Sequence, residues 1–130
     1  MNYLIILNDP PYGTERSYNG LRLANSLSKG DDARVSVFLM GDAASCAMAG
    51  QTTPNGYYNI ERMLKILASK SGRIGVCGSC MDARGLKPEL LVQGAHRSSL
   101  EELTSMATRS RRSPLCRCPY RQGGSHCTAT

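Results

Sequence analysis

The sequence predicts an α/β fold, a parallel sheet with helices on both of its faces. Three observations carry this. Apolar runs of strand length recur at residues 2–8, 34–40 and 73–76. Stretches whose apolar residues repeat at helical spacing lie between them. In the second run the two alternating sets, Val35, Val37, Leu39 and Ser36, Phe38, Met40, are both mostly apolar, as in a strand covered on both sides. At 130 residues the chain makes one domain with room for a real core.

The elements follow in order. Residues 2–8 run into Asp9-Pro10-Pro11-Tyr12-Gly13, where two prolines forbid a helix. Thr14 is expected to cap the first helix, with Glu15 in its first turn. Tyr18, Leu21, Ala24 and Leu27 share one face of that helix, and Gly30 closes it. Gly20 inside it costs about 1 kcal/mol relative to alanine, so a close contact is expected there. After the second strand, Gly41-Asp42 turns into a small-residue helix through Ala43, Ala44, Cys46, Ala47 and Met48. A polar loop follows at 50–56. Tyr57, Tyr58 and Asn59 read either as staple and cap of the next helix or as a subunit contact. Ile60, Met63, Leu64 and Leu67 then form the stripe of an amphipathic helix.

The third strand leads into Cys77. Residues 81–84 read as a single helical turn stopped by Gly85, and residues 90–92 as a short fourth extended piece. Ser98 with Glu101 has the spacing of a capping box, ahead of a helix presenting Leu100, Leu103 and Ala107 on one face.

Charge and composition exclude several classes. The net charge is +6, yet the sequence through residue 106 is nearly neutral, and Arg109, Arg111, Arg112, Arg117 and Arg121 carry the surplus. No nucleic-acid partner is therefore expected. The first residues have no positively charged segment and only a short apolar run, the pattern of neither a signal peptide nor a membrane span. The expected address is the cytoplasm. After Thr108 no helical or strand period remains, and the composition is that of a disordered basic tail. Three of the six cysteines, Cys116, Cys118 and Cys127, fall in it.

The chemistry points to Cys77-Gly78-Ser79-Cys80. In a parallel sheet, ligands gather at the carboxyl ends of the strands, and Cys77 follows the third strand there. A helix starting just after it favours thiolate, the form that attacks sulfur, and Arg84 adds positive charge nearby. Gly78 and Ser79 leave the sulfur uncrowded. Other readings compete: a buried strand cysteine, zinc held by Cys77, Cys80, Cys116 and Cys118, or a thioredoxin-like redox pair. Cys46, on the apolar side of an alanine-rich helix, reads as structural, and His96 as a solvated loop residue. No glycine-rich phosphate motif is present, so phosphate cradling has no support; neither cofactor nor resident metal is expected. Asp9 and Tyr12 leave the first strand at its carboxyl end and are expected to wall the same crevice as Cys77.

Several segments in this order resemble the DsrE/DsrF-like sulfur-relay family, in its YchN-like branch. They are Asn8-Asp9-Pro10-Pro11-Tyr12-Gly13-Thr14-Glu15, Leu21-Arg22-Leu23-Ala24, Val37-Phe38-Leu39-Met40-Gly41-Asp42-Ala43, Gly56-Tyr57-Tyr58-Asn59-Ile60 and Val76-Cys77-x-x-Cys80-x-Asp82-x-Arg84-Gly85. The resemblance runs from about residue 2 to about residue 105. It implies a three-layer α/β/α sandwich around a five-stranded parallel sheet, and a homo-oligomer, trimer or hexamer. It also implies a persulfide-carrying cysteine at Cys77, exchanging sulfur with donor and acceptor proteins, and a second branch cysteine at Cys80.

The expected organisation is thus a domain over 1–105 and an atypical basic tail over 106–130. Family chains close with a pattern of Trp, Glu-Ala-Asp and Val-Leu. One back-translation of residues 106–116, read one base later, encodes Trp-Arg-Arg-Glu-Ala-Asp-Glu-Val-Leu-Cys, so the tail is expected to be a frameshift product that replaces the last strand. The leading functional expectation is a small sulfur-relay protein, a sulfurtransferase-like carrier. Its alternatives are a non-enzymatic oligomeric scaffold of the same fold and a dithiol redox protein using Cys77 and Cys80.

Overall fold

The structure, a computed structural model, describes residues 1–110. The tail expected to be disordered, with Cys116, Cys118 and Cys127, lies outside the described residues apart from the end of the last helix.

Among the described residues, four parallel strands form one sheet in the order β1-β2-β3-β4: β1 (Asn2–Leu7), β2 (Arg34–Leu39), β3 (Arg73–Cys77) and β4 (Ala95–Ser98). Tyr3, Ile5 and Leu7 of β1, Val35, Val37 and Leu39 of β2, and Ile74 and Val76 of β3 point to one face. That face is covered by α1 (Arg16–Leu27), a 3₁₀ segment Gly41–Ala47, α2 (Ile60–Ser69) and α3 (Gly78–Ala83). The other face is covered by α4 (Leu100–Ser110), whose Leu103 and Met106 pack on Phe38 with Leu4, Met40 and Cys77 around them. The expected three layers are present.

The local signals explain most of the elements. Asn59 caps α2 by accepting the Arg62 N–H at 3.0 Å, and the buried stripe is Ile60, Leu64 and Leu67. Tyr58 stacks between Tyr12 and Tyr18, at ring-centroid distances of 5.7 and 4.2 Å, while Tyr57 is exposed. Gly20 meets β1: a Cβ there would collide with Cδ2 of Leu7. A polar hub fixes the loop before α2. The carboxylate of Glu61 accepts N–H groups of Gly50 and Gln51 at 2.9–3.2 Å. The Gln51 amide in turn donates to the carbonyls of Cys46 and Met48.

Five expectations are corrected. Thr14 does not cap α1: Glu15 is the N-cap without a side-chain bond, and the Thr14 hydroxyl donates to Asp9 Oδ2 instead. The alanine-rich segment winds as 3₁₀ rather than α-helix. Residues 90–92 are not the fourth strand. Leu90 ends a short 3₁₀ turn, Pro88–Leu90, and Leu91 makes an isolated antiparallel bridge to Met48; β4 is Ala95–Ser98, a polar strand at the edge of the sheet among the described residues. The N-cap sits one residue later than the expected capping box, and the reciprocal bond goes to a hydroxyl rather than to the cap N–H. Ser99 Oγ accepts the Glu102 N–H, and Glu102 Oε2 accepts the Ser98 hydroxyl at 2.6 Å. This rotates α4 so that Leu103 and Met106 are buried and Leu100 is exposed. His96 is a strand residue rather than a loop residue; it is exposed as expected, with Nε2 2.8 Å from Glu102 Oε1.

No helix among the described residues is long and apolar enough to cross a membrane.

Candidate dithiol site

Cys77 is the last residue of β3 and the N-cap of α3, so the strand delivers its sulfur to the carboxyl edge of the sheet. The side chain is partly buried, against Phe38 and the α4 residues Leu103 and Met106. The Ser79 hydroxyl stands 3.4 Å from the Cys77 sulfur. Partial burial by itself pushes the thiol up. Hydrogen bonds from Ser79, from the Cys80 thiol and from the backbone of Cys80 and Ser79 outweigh it, and Cys77 is held below the ordinary thiol range.

Cys80 moves the other way. Donating to the Cys77 sulfur raises it, with burial and the neighbouring thiolate adding, while the Gly41 backbone and the Arg84 charge oppose. The two thiols therefore form an unequal pair: Cys77 ionises first, and Cys80 keeps its proton and shares it. Cys46 supplies a contrast. It is fully buried in the main core, and burial pushes its thiol up to about 11.

The six-residue α3 is held from both sides. Arg84 reaches back to Asp42 after β2, with Nη2 to Oδ1 at 2.8 Å, and also donates to the Cys80 carbonyl at 3.0 Å. On the other side Asp82 takes both outer nitrogens of Arg97 from β4, at 2.7 and 2.9 Å. Arg97 was not singled out from the sequence. Its strand is polar and short, and the one signal was its place near the end of a chain segment that had to return to the sheet.

The structure brings Cys77, Cys80 and Arg84 together around α3. Asp9 and Tyr12 occupy a separate neighbourhood. Asp9 lines an open cleft of about 700 Å³ with Pro10, Thr14, Arg16 and Asn19. Its carboxylate accepts from Thr14 and faces Arg16 at 3.5 Å, and its carbonyl accepts the Ser17 hydroxyl. The Tyr12 hydroxyl donates to Gln51 at 2.7 Å and accepts the Ile60 N–H at 3.1 Å, tying the first loop to α2. Among the described residues no cluster of three or more His, Cys, Asp or Glu side chains could hold a metal ion. The zinc reading drew two of its ligands, Cys116 and Cys118, from outside the described residues.

Chemically, this arrangement provides a nucleophilic sulfur with a second thiol poised behind it. Relatives of the chain share the fold. Protein YchN of Escherichia coli strain K12 is 37% identical over 101 residues, spanning 77% of this chain and 86% of its own. The uncharacterized protein MJ0989 of Methanocaldococcus jannaschii is 33% identical over 111 residues, 85% of this chain and 95% of its own. The crystal structure of YchN from E. coli superposes with a TM-score of 0.78 at 34% identity, covering 83% of this chain and 92% of that one. The structure of MTH1491 from Methanobacterium thermoautotrophicum, at 14% identity and a TM-score of 0.63, shares the fold alone. The DsrE/DsrF-like family matches residues 1–112. With that match spanning the whole sheet, all four helices and both thiols of the site, the chain belongs to the DsrE/DsrF-like family.

Proposed function

We propose that this protein is a sulfur carrier that accepts and passes on sulfane sulfur as a persulfide on Cys77. The observation that carries the reading is the placement of Cys77 at the carboxyl end of β3, with the Ser79 hydroxyl 3.4 Å from its sulfur and Cys80 following within α3; the donors there favour a lowered Cys77 thiol and a raised Cys80 thiol. Family membership supports it, since the family as a whole suggests sulfur relay. Loading needs no oxidant. The Cys77 thiolate attacks the outer sulfur of a donor persulfide; the new S–S bond forms as the donor's S–S bond breaks, and the donor leaves as thiolate. An acceptor thiolate reverses the process. If none arrives, Cys80 attacks the inner sulfur, closing a Cys77–Cys80 disulfide and releasing the outer sulfur as hydrosulfide.

The test is a mass measurement on the full chain after incubation with a persulfide donor, read on the peptide that holds Cys77. A reducible adduct one sulfur atom heavier, retained in Cys80→Ser and absent in Cys77→Ser, is the expected result. A disulfide between the two cysteines with no adduct at any time would instead support the dithiol redox reading, and two inert thiols the scaffold reading.

The same reading includes donor and acceptor proteins and an assembly of identical subunits, a trimer or hexamer. The exposed apolar side chains of Leu23, Tyr57 and Leu100 support the assembly. Light scattering at micromolar concentration distinguishes it from a monomer. It also treats the sequence from about residue 105 onward as out of frame. Sequencing the gene across codons 105–116 sinks that idea if the +1 frame lacks the family ending.

A further inference from the structure

Arg97 has no part in the carrier chemistry described so far, yet its placement is specific. It lies in register with Val76, one residue before Cys77 on the neighbouring strand, and its guanidinium folds across the first residue of α3. A Cβ built on Gly78 would stand 2.9 Å from Arg97 Cζ and 3.0 Å from Nε and Nη2, so a side chain there would push the guanidinium out of this position. Its two outer nitrogens hold both oxygens of Asp82, the fork by which a guanidinium binds planar or tripodal oxyanions. Both partners are open to water, Arg97 with 42% and Asp82 with 65% of the side chain exposed. An exposed pair of this kind contributes little to stability and exchanges readily. The guanidinium is held charged first by Asp82, and the Cys77 thiolate adds to it.

We propose that Arg97 is an anion subsite beside Cys77, occupied by Asp82 in the resting protein and by the oxyanion of a small sulfur donor in the working one. The inference rests on the carrier reading and names its substrate class: a thiosulfonate, with a sulfane sulfur bonded to an oxidised, anionic sulfur. The Cys77 thiolate attacks the outer sulfur, the Cys77–S bond forms, and the donor's S–S bond breaks. The electron pair leaves on the oxidised fragment, a sulfinate, or sulfite where the donor is thiosulfate, so atoms, charge and electrons balance without a further reactant. Arg97 holds the oxygens of the fragment that leaves. A neutral donor gains nothing from this subsite, and an anionic one is otherwise repelled by the thiolate.

The test reads anion preference without depending on sulfur transfer. Cys77 of the full chain is alkylated in parallel with iodoacetate, which is anionic, and iodoacetamide, which is neutral, and the products are assigned to Cys77 by peptide fragmentation. Both reagents need the same thiolate, so their rate ratio cancels any change in its ionisation. Removing a charge close to the thiol in Arg97→Gln should lower the iodoacetate-to-iodoacetamide ratio by about threefold or more. Arg97→Lys should keep most of it, and Asp82→Asn, which frees the guanidinium, should raise it. A ratio unchanged in Arg97→Gln, or both rates falling together, would make Arg97 a clamp for α3 and overturn the proposal. Should Arg97→Gln fail to fold, Asp82→Asn decides alone: a higher ratio upholds the subsite and an unchanged one removes it. A shifted ratio in a protein whose Cys77 never takes up sulfur would leave the subsite standing and the carrier reading refuted.

Discussion

Cys46 and Cys77 both lie on the carboxyl side of neighbouring strands, Cys46 in the segment after β2 and Cys77 as the last residue of β3, and they are opposites. Cys46 follows β2 by way of a 3₁₀ segment that turns inward. Its sulfur is sealed under α1 and α2, and its nearest polar neighbours are the Asp9 carbonyl at 3.8 Å and Ser17. Cys77 ends β3 with no such turn, and its sulfur meets a hydroxyl, a thiol and backbone N–H groups. The same atom on the same sheet becomes a core filler in one place and a nucleophile in the other. What differs is the number of donors that meet it and whether water and reagents reach it.

The largest expected effect separates the two thiols directly. Iodoacetamide should modify Cys77 faster than Cys46 by about two orders of magnitude or more in the native protein, with Cys46 reacting only as the chain unfolds. Comparable rates would erase the contrast. Next comes the cover over Cys46. Glu61 is buried, and burial tends to push its carboxyl up. The Gly50 N–H, Lys65 and the Gln51 N–H outweigh that and hold it below the usual carboxylate range. In Glu61→Gln an amide NH₂ would face Lys65 or those N–H donors. A loss of about 1–3 kcal/mol of stability is expected, measured by urea unfolding, together with faster labelling of Cys46. Because the folded value lies below the unfolded one, Glu61 stabilises above the ordinary carboxylate pKa, and the benefit disappears as pH falls through the folded value. The gap between wild type and Glu61→Gln should therefore narrow in acid.

A smaller change sharpens the other side. Ser79→Ala removes the hydroxyl donor from Cys77, so alkylation at neutral pH should slow severalfold while the melting temperature stays put. Unchanged reactivity would assign the lowered thiol to Cys80 and the backbone alone. The smallest effect belongs to Arg84→Gln. Its pair with Asp42 is largely exposed, so stability should move by less than about 1 kcal/mol. Cys80, losing a favourable charge, should label more slowly while Cys77 is untouched.

The sequence was most legible where the core decides structure. β1, β2, β3 and the α2 stripe are written in apolar residues, and the Cys77 position at a strand end follows from them. β4 was not legible, because an edge strand flanked by α4 needs little apolar surface: only Ala95 of Ala-His-Arg-Ser packs on the main core. The apolar Leu90, Leu91 and Val92 carry the stronger strand signal, although they serve to close the 3₁₀ segment through Met48 and Ala47. Losing β4 meant losing Arg97, so half of the surroundings of α3 was hidden. The one-residue shift of the N-cap has the same origin. Ser98 and Ser99 are both competent caps, and only the end of β4 selects Ser99.

The strand order has a consequence for how the site comes into being. Among the described residues each strand lies beside its predecessor in the chain, so this part of the sheet widens in the sequence in which residues leave the ribosome, and none of these four strands waits for a later one to be inserted between its neighbours. The thiols of Cys77 and Cys80 emerge before β4, and for the duration of some fifteen to twenty further residues of synthesis the nascent edge carries a dithiol whose second arginine has not yet been made. Until β4 is made the Cys77 edge has no Arg97 beside it, so the guanidinium in register with Val76 is the last part of the described site to be completed.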